Sequence, residues 1–324
     1  MRLIIVFILF PIWCFCQNSI DNAVLFLEQK KYQQAENLLI SFVSNNPKNL
    51  EAKEHYGDAL AYQKKWEAAS TQYLELVEAK PNNANYHYKY GGALAMYAKQ
   101  SNKLKALTLI GDIKNALLTA AKLDTKHLNT RWALVELYMQ LPSIIGGSLE
   151  KSLQFANELQ AISKVDGYLA KGYIYEYENQ PIPAEKYYKM AINIGGSLTC
   201  FEKLATFYQN SNKPNKAIKT IEASQKKHQR NALHYQIGKV AASYNIQLAK
   251  GEKCLLKYLK NYTIKDGVPK AWANYRLAQI YFHKKNIQKA LYHIQLAITE
   301  LPDIKAFLTE KNKINNYKKQ ALNN

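Results

Sequence analysis

Residues 172–191, GYIYEYENQPIPAEKYYKMA, contain the pattern that decides the fold. Small residues stand at its first, thirteenth and twentieth places, and tyrosines at its fourth and seventeenth. The same order of small and large residues recurs without a gap in 205–224 (ATFYQNSNKPNKAIKTIEAS) and in 278–297 (AQIYFHKKNIQKALYHIQLA). Small residues at helical spacing let two antiparallel helices approach closely, and the large residues fill the space between them. The stretch therefore predicts a repeating pair of helices.

The spacing of the prolines extends this repeat towards the N-terminus. Pro47 and Pro81 are 34 residues apart, and similar residues precede each of them. A period of 34 residues with small and large apolar positions on two helices resembles the tetratricopeptide repeat (TPR). The resemblance implies an all-α, right-handed α-solenoid of about eight TPR-like helix pairs in residues 17–303. A C-terminal capping helix with a basic tail is predicted for residues 304–324.

Two of the predicted repeats carry insertions. The stretch NKLKALTLI, residues 102–110, delays the second helix of the third repeat and predicts lengthened helices there. In the fourth repeat, PSIIGGS at 142–148 separates the two helices. Residues 88–159 are similar to exported bacterial TPR proteins that carry a Pro-x-x-x-Gly-Gly-Ser loop. This resemblance implies a protein of the bacterial cell envelope.

The N-terminus has the layout of a secretory signal peptide. Arg2 follows the initiating methionine, an apolar run extends to Trp13, and small residues precede Gln17. We therefore predict a signal peptide at 1–16 and export to the periplasm or the envelope. A lipid anchor at Cys16 is the less favoured alternative. No later segment reaches the length of apolar sequence that spans a bilayer, so no transmembrane segment is expected after cleavage.

The positive charge is concentrated in the C-terminal part of the chain. The net charge is +19, and residues 201–324 hold 23 lysines and arginines against 7 acidic residues. Lysine rather than arginine supplies most of the charge, which does not favour nucleic acid as a partner. The charge is either a set of solvated helix faces or a surface for an acidic protein, an anionic membrane surface or an envelope polymer. The predicted basic patch comprises Lys226, Lys227, Arg230, Lys253, Lys257 and Lys260.

Ile-Gly-Gly-Ser-Leu occurs twice, at 145–149 and 194–198. A glycine pair before a helix can hold a phosphate group, but neither copy follows a predicted strand or ends in Gly-Lys-Ser/Thr. We interpret both copies as glycine helix ends followed by serine N-caps, Ser148 and Ser197.

No motif of catalysis or metal binding occurs in the sequence. His-Glu-x-x-His, Gly-x-Ser-x-Gly and Cys-x-x-Cys are all absent. We therefore expect no enzyme activity, no cofactor and no metal ion. Cys200 and Cys254 are the cysteines left after signal cleavage. Buried free thiols are the favoured interpretation, and a disulfide between them is the alternative that export permits.

The function is expected to lie in a groove lined by the first helix of each pair. Solenoids bind extended partners in such grooves, and aromatic rings interleaved with polar groups suit peptide recognition. Packing of some of these rings against the next repeat is the alternative. The predicted partner-binding groove comprises Tyr88, Trp132, Glu136, Tyr173, Tyr177, Tyr235, Trp272, Tyr275 and Phe282.

The TPR resemblance also raises the possibility of a Lys/Asn clamp for the tails of chaperones. Its places in the first repeats hold Ile20, Val24, His55 and Asp58, so a chaperone-tail receptor is not favoured. We therefore predict a non-catalytic scaffold that binds a partner protein or peptide in the groove. The alternative is an accessory protein that binds an envelope polymer or an anionic surface through its basic C-terminal half.

Overall fold

The structure is a computed structural model that describes the backbone of residues 13–323 and the side chains of residues 20–320. Over that range it is helical, without strands. Two short 3₁₀ turns occur at Ser143–Ile145 and Ile264–Asp266. The α-helices are α1 (Trp13–Glu28), α2 (Tyr32–Asn45), α3 (Leu50–Tyr62), α4 (Trp66–Ala79), α5 (Ala84–Gln100), α6 (Lys103–Leu123), α7 (Leu128–Gln140), α8 (Leu149–Ile162), α9 (Lys164–Tyr177), α10 (Pro181–Ile194), α11 (Leu198–Asn210), α12 (Pro214–His228), α13 (Asn231–Tyr244), α14 (Leu248–Lys260), α15 (Lys270–His283), α16 (Ile287–Glu300) and α17 (Lys305–Asn323).

The helices pack in sequential pairs, from α1 with α2 to α15 with α16, and α17 follows as a single helix. Eight pairs and a C-terminal helix in the described residues confirm the architecture predicted from the sequence. Side chains define many of the helix starts, as at Ser197, whose Oγ accepts a hydrogen bond from the Cys200 N–H. Five pairs share a tight turn with one left-handed residue between their helices: Lys30, Lys64, Asn179, Asn212 and Lys285.

The chain divides into two compact units, Met1–Ile162 and Ser163–Asn324. In the first unit, small residues allow the close helix contacts that the repeat pattern predicted. A Cβ atom on Gly57 would lie 2.5 Å from the Tyr73 ring. The lengthened third pair is confirmed, because α5 has 17 residues and α6 has 21, whereas α3 and α4 have 13 and 14.

The second unit has one continuous core that runs from α13 to α17. The C-terminal helix α17 contacts both α15 and α16. Its Phe307 and Ile314 are completely buried in this core. The last helix therefore covers apolar surface that the final helix pair leaves open.

The predicted signal peptide lies mostly outside the described residues, since α1 begins at Trp13. None of the described helices has the length and apolar character needed to cross a membrane. Cys200 and Cys254 are both free thiols, as favoured from the sequence.

Candidate functional site

A pocket of about 720 Å³ opens in the first unit between α5, α6, α7 and the loop that follows α7. Its volume lies in the range of ligand-binding pockets, and apolar side chains dominate its walls. The apolar lining comprises Gly92, Ala95, Met96, Ala98, Ala106, Leu107, Ile110, Ile113, Leu117, Ala133, Leu137, Leu141, Pro142 and Ile145.

The pocket depends on the insertion in the third repeat. Ala106, Leu107 and Ile110 belong to the 102–110 stretch that lengthens α6, and all three line the pocket. Leu104 and Leu107 in the same stretch are 78% and 47% exposed. Sequence reasoning identified the insertion but not the pocket. The signal that could have revealed it is the run of leucines and isoleucines on an added helical turn.

The loop after α7 forms one wall of the pocket, and two hydrogen bonds hold it to α6 and α7. The Lys114 ammonium donates a hydrogen bond to the Ile145 carbonyl at 2.9 Å. The Ser148 N–H donates to the Tyr138 carbonyl, also at 2.9 Å. A Cβ atom on Gly147 would lie 1.8 Å from the Leu141 carbonyl oxygen, so this position requires glycine. The loop is therefore a fixed wall, in agreement with its interpretation as a glycine helix end followed by an N-cap serine.

Polar groups lie at the mouth of the pocket. Tyr88 and Glu136, both predicted groove residues, line it from α5 and α7. Burial, together with the negative charge of Glu136, raises the pKa of Tyr88. Lys99 and Lys103 also line the pocket, are exposed, and take part in no ion pair within residues 20–320. The pocket thus combines an apolar floor with a charged rim.

Two carboxylates on α3, Glu54 and Asp58, are neutralised by a lysine of the following repeat. The Lys89 ammonium lies 2.7 Å from a Glu54 oxygen and 2.8 Å from an Asp58 oxygen. The Tyr73 hydroxyl donates to Asp58 at 2.6 Å. Burial acts to lower the pKa of Lys89, but the two carboxylates raise it overall. These acidic residues therefore serve as internal partners for Lys89.

Other predicted groove residues are distributed along the two units. Trp132 is half-buried on α7 of the first unit and does not line the pocket. In the second unit, Tyr173 and Tyr177 lie on α9 with their ring centroids 6.1 Å apart, and Tyr177 is half exposed. Tyr235 is buried instead, because its ring packs against Tyr258 at 5.5 Å. Its assignment to an open groove is corrected accordingly.

The C-terminal helix covers three further residues that were predicted to line the groove. Trp272 and Tyr275 contact Phe307, with ring centroids 4.9 and 5.1 Å apart. Phe282 contacts Tyr317 at 5.4 Å. Because α17 occupies this face of α15, these rings pack within the protein and do not form an open aromatic groove. At the C-terminal end of the chain, the rings therefore follow the alternative interpretation, in which they pack against a neighbouring helix and do not line an open groove.

The six residues of the predicted basic patch are all exposed, and none forms an ion pair within the described residues. The Asn231 side chain donates to the Tyr258 carbonyl at 3.1 Å, which places the start of α13 beside the end of α14. Arg230 immediately precedes α13, Lys226 and Lys227 lie in the last turn of α12, and the last turn of α14 carries two more lysines. The patch therefore lies along one edge of the second unit.

The second unit has its own pocket, of about 520 Å³, next to this edge. Arg230, Lys239 and Lys265 line it together with Phe201 and Leu233. Sequence reasoning did not identify this pocket. Among the described residues there is no group of three or more histidines, cysteines or carboxylates that could hold a metal ion.

Comparisons with known proteins place this architecture among helix-pair repeat proteins. A tetratricopeptide repeat family model matches residues 20–84. The structure is similar to a tetratricopeptide repeat protein from Parabacteroides merdae, with a TM-score of 0.50, 13% identity, and coverage of 92% of this chain and 98% of that chain. It is also similar to yeast Tom70, with a TM-score of 0.64, 12% identity, and coverage of 99% of this chain and 68% of that chain. A search of curated proteins gave no match.

At these identities the likeness to solved structures concerns the fold. The chain is thus an all-α solenoid of TPR-like helix pairs, as predicted, with a TPR match at its N-terminal repeats.

Proposed function

We propose that this protein is a non-catalytic scaffold whose first unit binds an apolar segment of a partner protein. The observation that carries the proposal is the pocket of about 720 Å³, which has an apolar floor and a charged rim. Exposed apolar surface of this kind marks interaction sites in soluble proteins. The TPR-like fold supports the proposal, because stacked helix pairs present extended binding surfaces.

We place this scaffold in the bacterial cell envelope, either in the periplasm or attached to a membrane surface. The support is the N-terminal sequence, in which a positive residue, an apolar run and small residues precede Gln17. The likeness of the 142–148 loop to that of exported bacterial TPR proteins agrees with this location.

The pocket offers a matched pair of glycines for the test. A Cβ atom on Gly92 or on Gly111 would meet no other atom within 4 Å, so both positions accept a larger side chain. Gly92 lines the pocket, whereas Gly111 does not. Gly92→Phe should therefore fill the pocket without disturbing the fold, and Gly111→Phe is the control for the same change within a helix.

Photo-crosslinking in the native envelope tests the proposal. A photoreactive residue replaces Leu107, which is exposed and lines the pocket, and in a second variant Leu118, which is exposed on the same helix outside it. A protein adduct should form at position 107 and fall about tenfold with Gly92→Phe, which corresponds to about 1.4 kcal/mol of binding. Adducts of equal yield at 118, or adducts insensitive to Gly92→Phe, contradict the proposal.

A second candidate function rests on the basic patch. Five lysines and one arginine along one edge are exposed and form no ion pair within residues 20–320, which favours attraction to an envelope polymer or an anionic surface. Such binding should weaken steeply with added salt, because screening shortens the reach of exposed charges to about 8 Å at physiological ionic strength. Binding at the apolar pocket should weaken less under the same conditions, because salt does not screen its apolar contacts.

A further inference from the structure

The walls of the pocket restrict the conformation of a bound segment. Its floor is formed by apolar side chains from three helices, whose own backbone groups are hydrogen-bonded within each helix. The polar lining residues Lys99, Lys103, Glu136 and Gln140 are exposed and lie at the mouth. An extended segment would bring unpaired N–H and C=O groups against this floor, and burying each of them without a hydrogen-bond partner is unfavourable. A helical segment satisfies these groups internally.

The length of the pocket fits a helix of about three turns. Tyr88, Gly92, Met96 and Lys99 line it along one face of α5. At a rise of 1.5 Å per residue, the eleven steps from the first to the last of these residues span roughly 16 Å. A bound helix of that length presents apolar anchors at positions i, i+3 or i+4, and i+7, which is the recognition pattern of helix-in-groove complexes.

The rim indicates the charge of the occupant. Lys99 lies in the last turn of α5 and Lys103 begins α6, so two cations without ion pairs within residues 20–320 flank the short connection between these helices. Leu104 and Leu107 are exposed beside them. A partner with acidic residues along one edge of its apolar stripe would pair with these lysines as its apolar anchors enter the pocket.

We infer that the pocket binds an amphipathic α-helix of the partner protein, with acidic residues on the edge that faces Lys99 and Lys103. This inference rests on the proposed function and names the chemistry of its partner. The other occupant that an apolar pocket bordered by two exposed lysines could accept is the acyl chain of an anionic lipid, and the test separates the two.

Two displayed peptide libraries of identical composition provide the test. The peptides are about 18 residues long, with randomised apolar residues at the helix-in-groove spacing and glutamates on one edge. The first library carries a proline at its terminus and an alanine at its centre. In the second library these two residues are exchanged, so that the proline is central. An internal proline strongly destabilises a helix, because it removes a backbone hydrogen bond and clashes with the preceding turn. Both libraries are selected against the purified full-length protein.

Clones are then measured against the wild-type protein and three variants: Gly92→Phe, Gly111→Phe, and the double change Lys99→Glu/Lys103→Glu. We expect most selected clones to come from the first library, whose peptides can form a continuous helix. Its clones should lose about tenfold or more in affinity with Gly92→Phe and with the double change, and nothing with Gly111→Phe. The loss with the double change should diminish as salt is added.

Three results would overturn the inference. If clones with the central proline bound equally well and were sensitive to Gly92→Phe, the bound segment would not be a helix, but the proposed function would stand. If no clone from either library were sensitive to Gly92→Phe, both the inference and peptide binding at this pocket would fail. A fluorescent fatty acid that binds the wild type and not Gly92→Phe, in the absence of any such peptide clone, would identify an acyl chain as the occupant.

Discussion

The helices α5 and α15 are the first helices of their pairs, yet equivalent positions on them meet opposite surroundings. On α5, Tyr88 and Gly92 border an open pocket. On α15, Tyr275 and Gln279 stand at the matching positions and contact α17, Tyr275 through Phe307 and Gln279 through Glu310. The position of a residue in the repeat therefore does not decide whether it is available to a partner. Its availability depends on the element that packs next to it.

The difference has a physical cause in each unit. The third pair is lengthened by the 102–110 insertion, and the fixed loop after α7 supplies an additional wall, so apolar side chains border open space. The last pair is followed by α17, whose Phe307 and Ile314 fill the corresponding space. Terminal repeats need such a cover because no further repeat buries their apolar face.

The largest effect on stability is expected in the second unit, where α17 covers the last helix pair. Phe307→Ala removes a completely buried ring from contact with Trp272 and Tyr275, and should lower the free energy of unfolding by about 3–5 kcal/mol. Leu308→Ala on the same helix is the control, because Leu308 is 44% exposed and should cost less than about 1 kcal/mol. Urea unfolding followed by circular dichroism measures both. Equal losses for the two variants would show that α17 does not cover the core in the way described.

The open pocket gives a smaller and more local contrast between two adjacent glycines. A Cβ atom on Gly91 would lie 2.9 Å from Leu117 Cγ, whereas one on Gly92 meets nothing within 4 Å. Gly91→Phe should therefore overpack the α5–α6 contact and cost about 1–3 kcal/mol, while Gly92→Phe should leave stability unchanged or raise it by up to about 1 kcal/mol. Thermal unfolding of the two variants measures the difference. A loss with Gly92→Phe as large as that with Gly91→Phe would mean that the pocket is closed in solution.

Sequence reasoning was sufficient for features that depend on local spacing. The small residues at the helix contacts, the longer α5 and α6, and the N-cap serines follow from short-range rules of helix packing and capping. Gly57 and Gly172 illustrate this, since each lies against a tyrosine of the second helix in its own pair. These contacts join residues that are close in sequence.

The surroundings of the groove residues could not be predicted in the same way. Tyr235 is buried against Tyr258, which lies in the next helix, and Trp272 is partly covered by Phe307, more than thirty residues later. The negative charges of Glu54 and Asp58 on α3 are balanced by Lys89, which the following repeat supplies. In each case the neighbouring helix decides the exposure or the charge, and the repeat pattern of a single helix contains no information about it.

The smallest expected effect is the contribution of one histidine of the second unit to the pH dependence of stability. His293 lies beside Asn274 Oδ1 at 2.9 Å and stacks on Tyr281 at 5.3 Å. Burial lowers its pKa below the usual 6.5, the charge of Lys289 lowers it further, and Glu252 partly opposes this effect. The unfolded chain therefore takes up a proton before the folded protein does. The stability from the neutral ring is fully present above pH 6.5 and is lost as the pH falls below that value.

Thermal unfolding at pH 7.5 and 5.5 checks this expectation, because carboxylates with ordinary pKa values near 4.5 and 3.8 contribute little in that window. The wild-type melting temperature should be lower at pH 5.5, and His293→Gln should reduce the difference between the two values. Any loss of stability caused by the lost contacts of the ring lowers the melting temperature at both pH values. It therefore cancels when the melting temperature at pH 5.5 is subtracted from that at pH 7.5. His127, whose pKa burial also lowers, provides the comparison in the first unit. An unchanged pH dependence in His293→Gln would show that His293 is solvated in the folded protein, and that the second unit is more open at α15 than the contacts with α16 and α17 indicate.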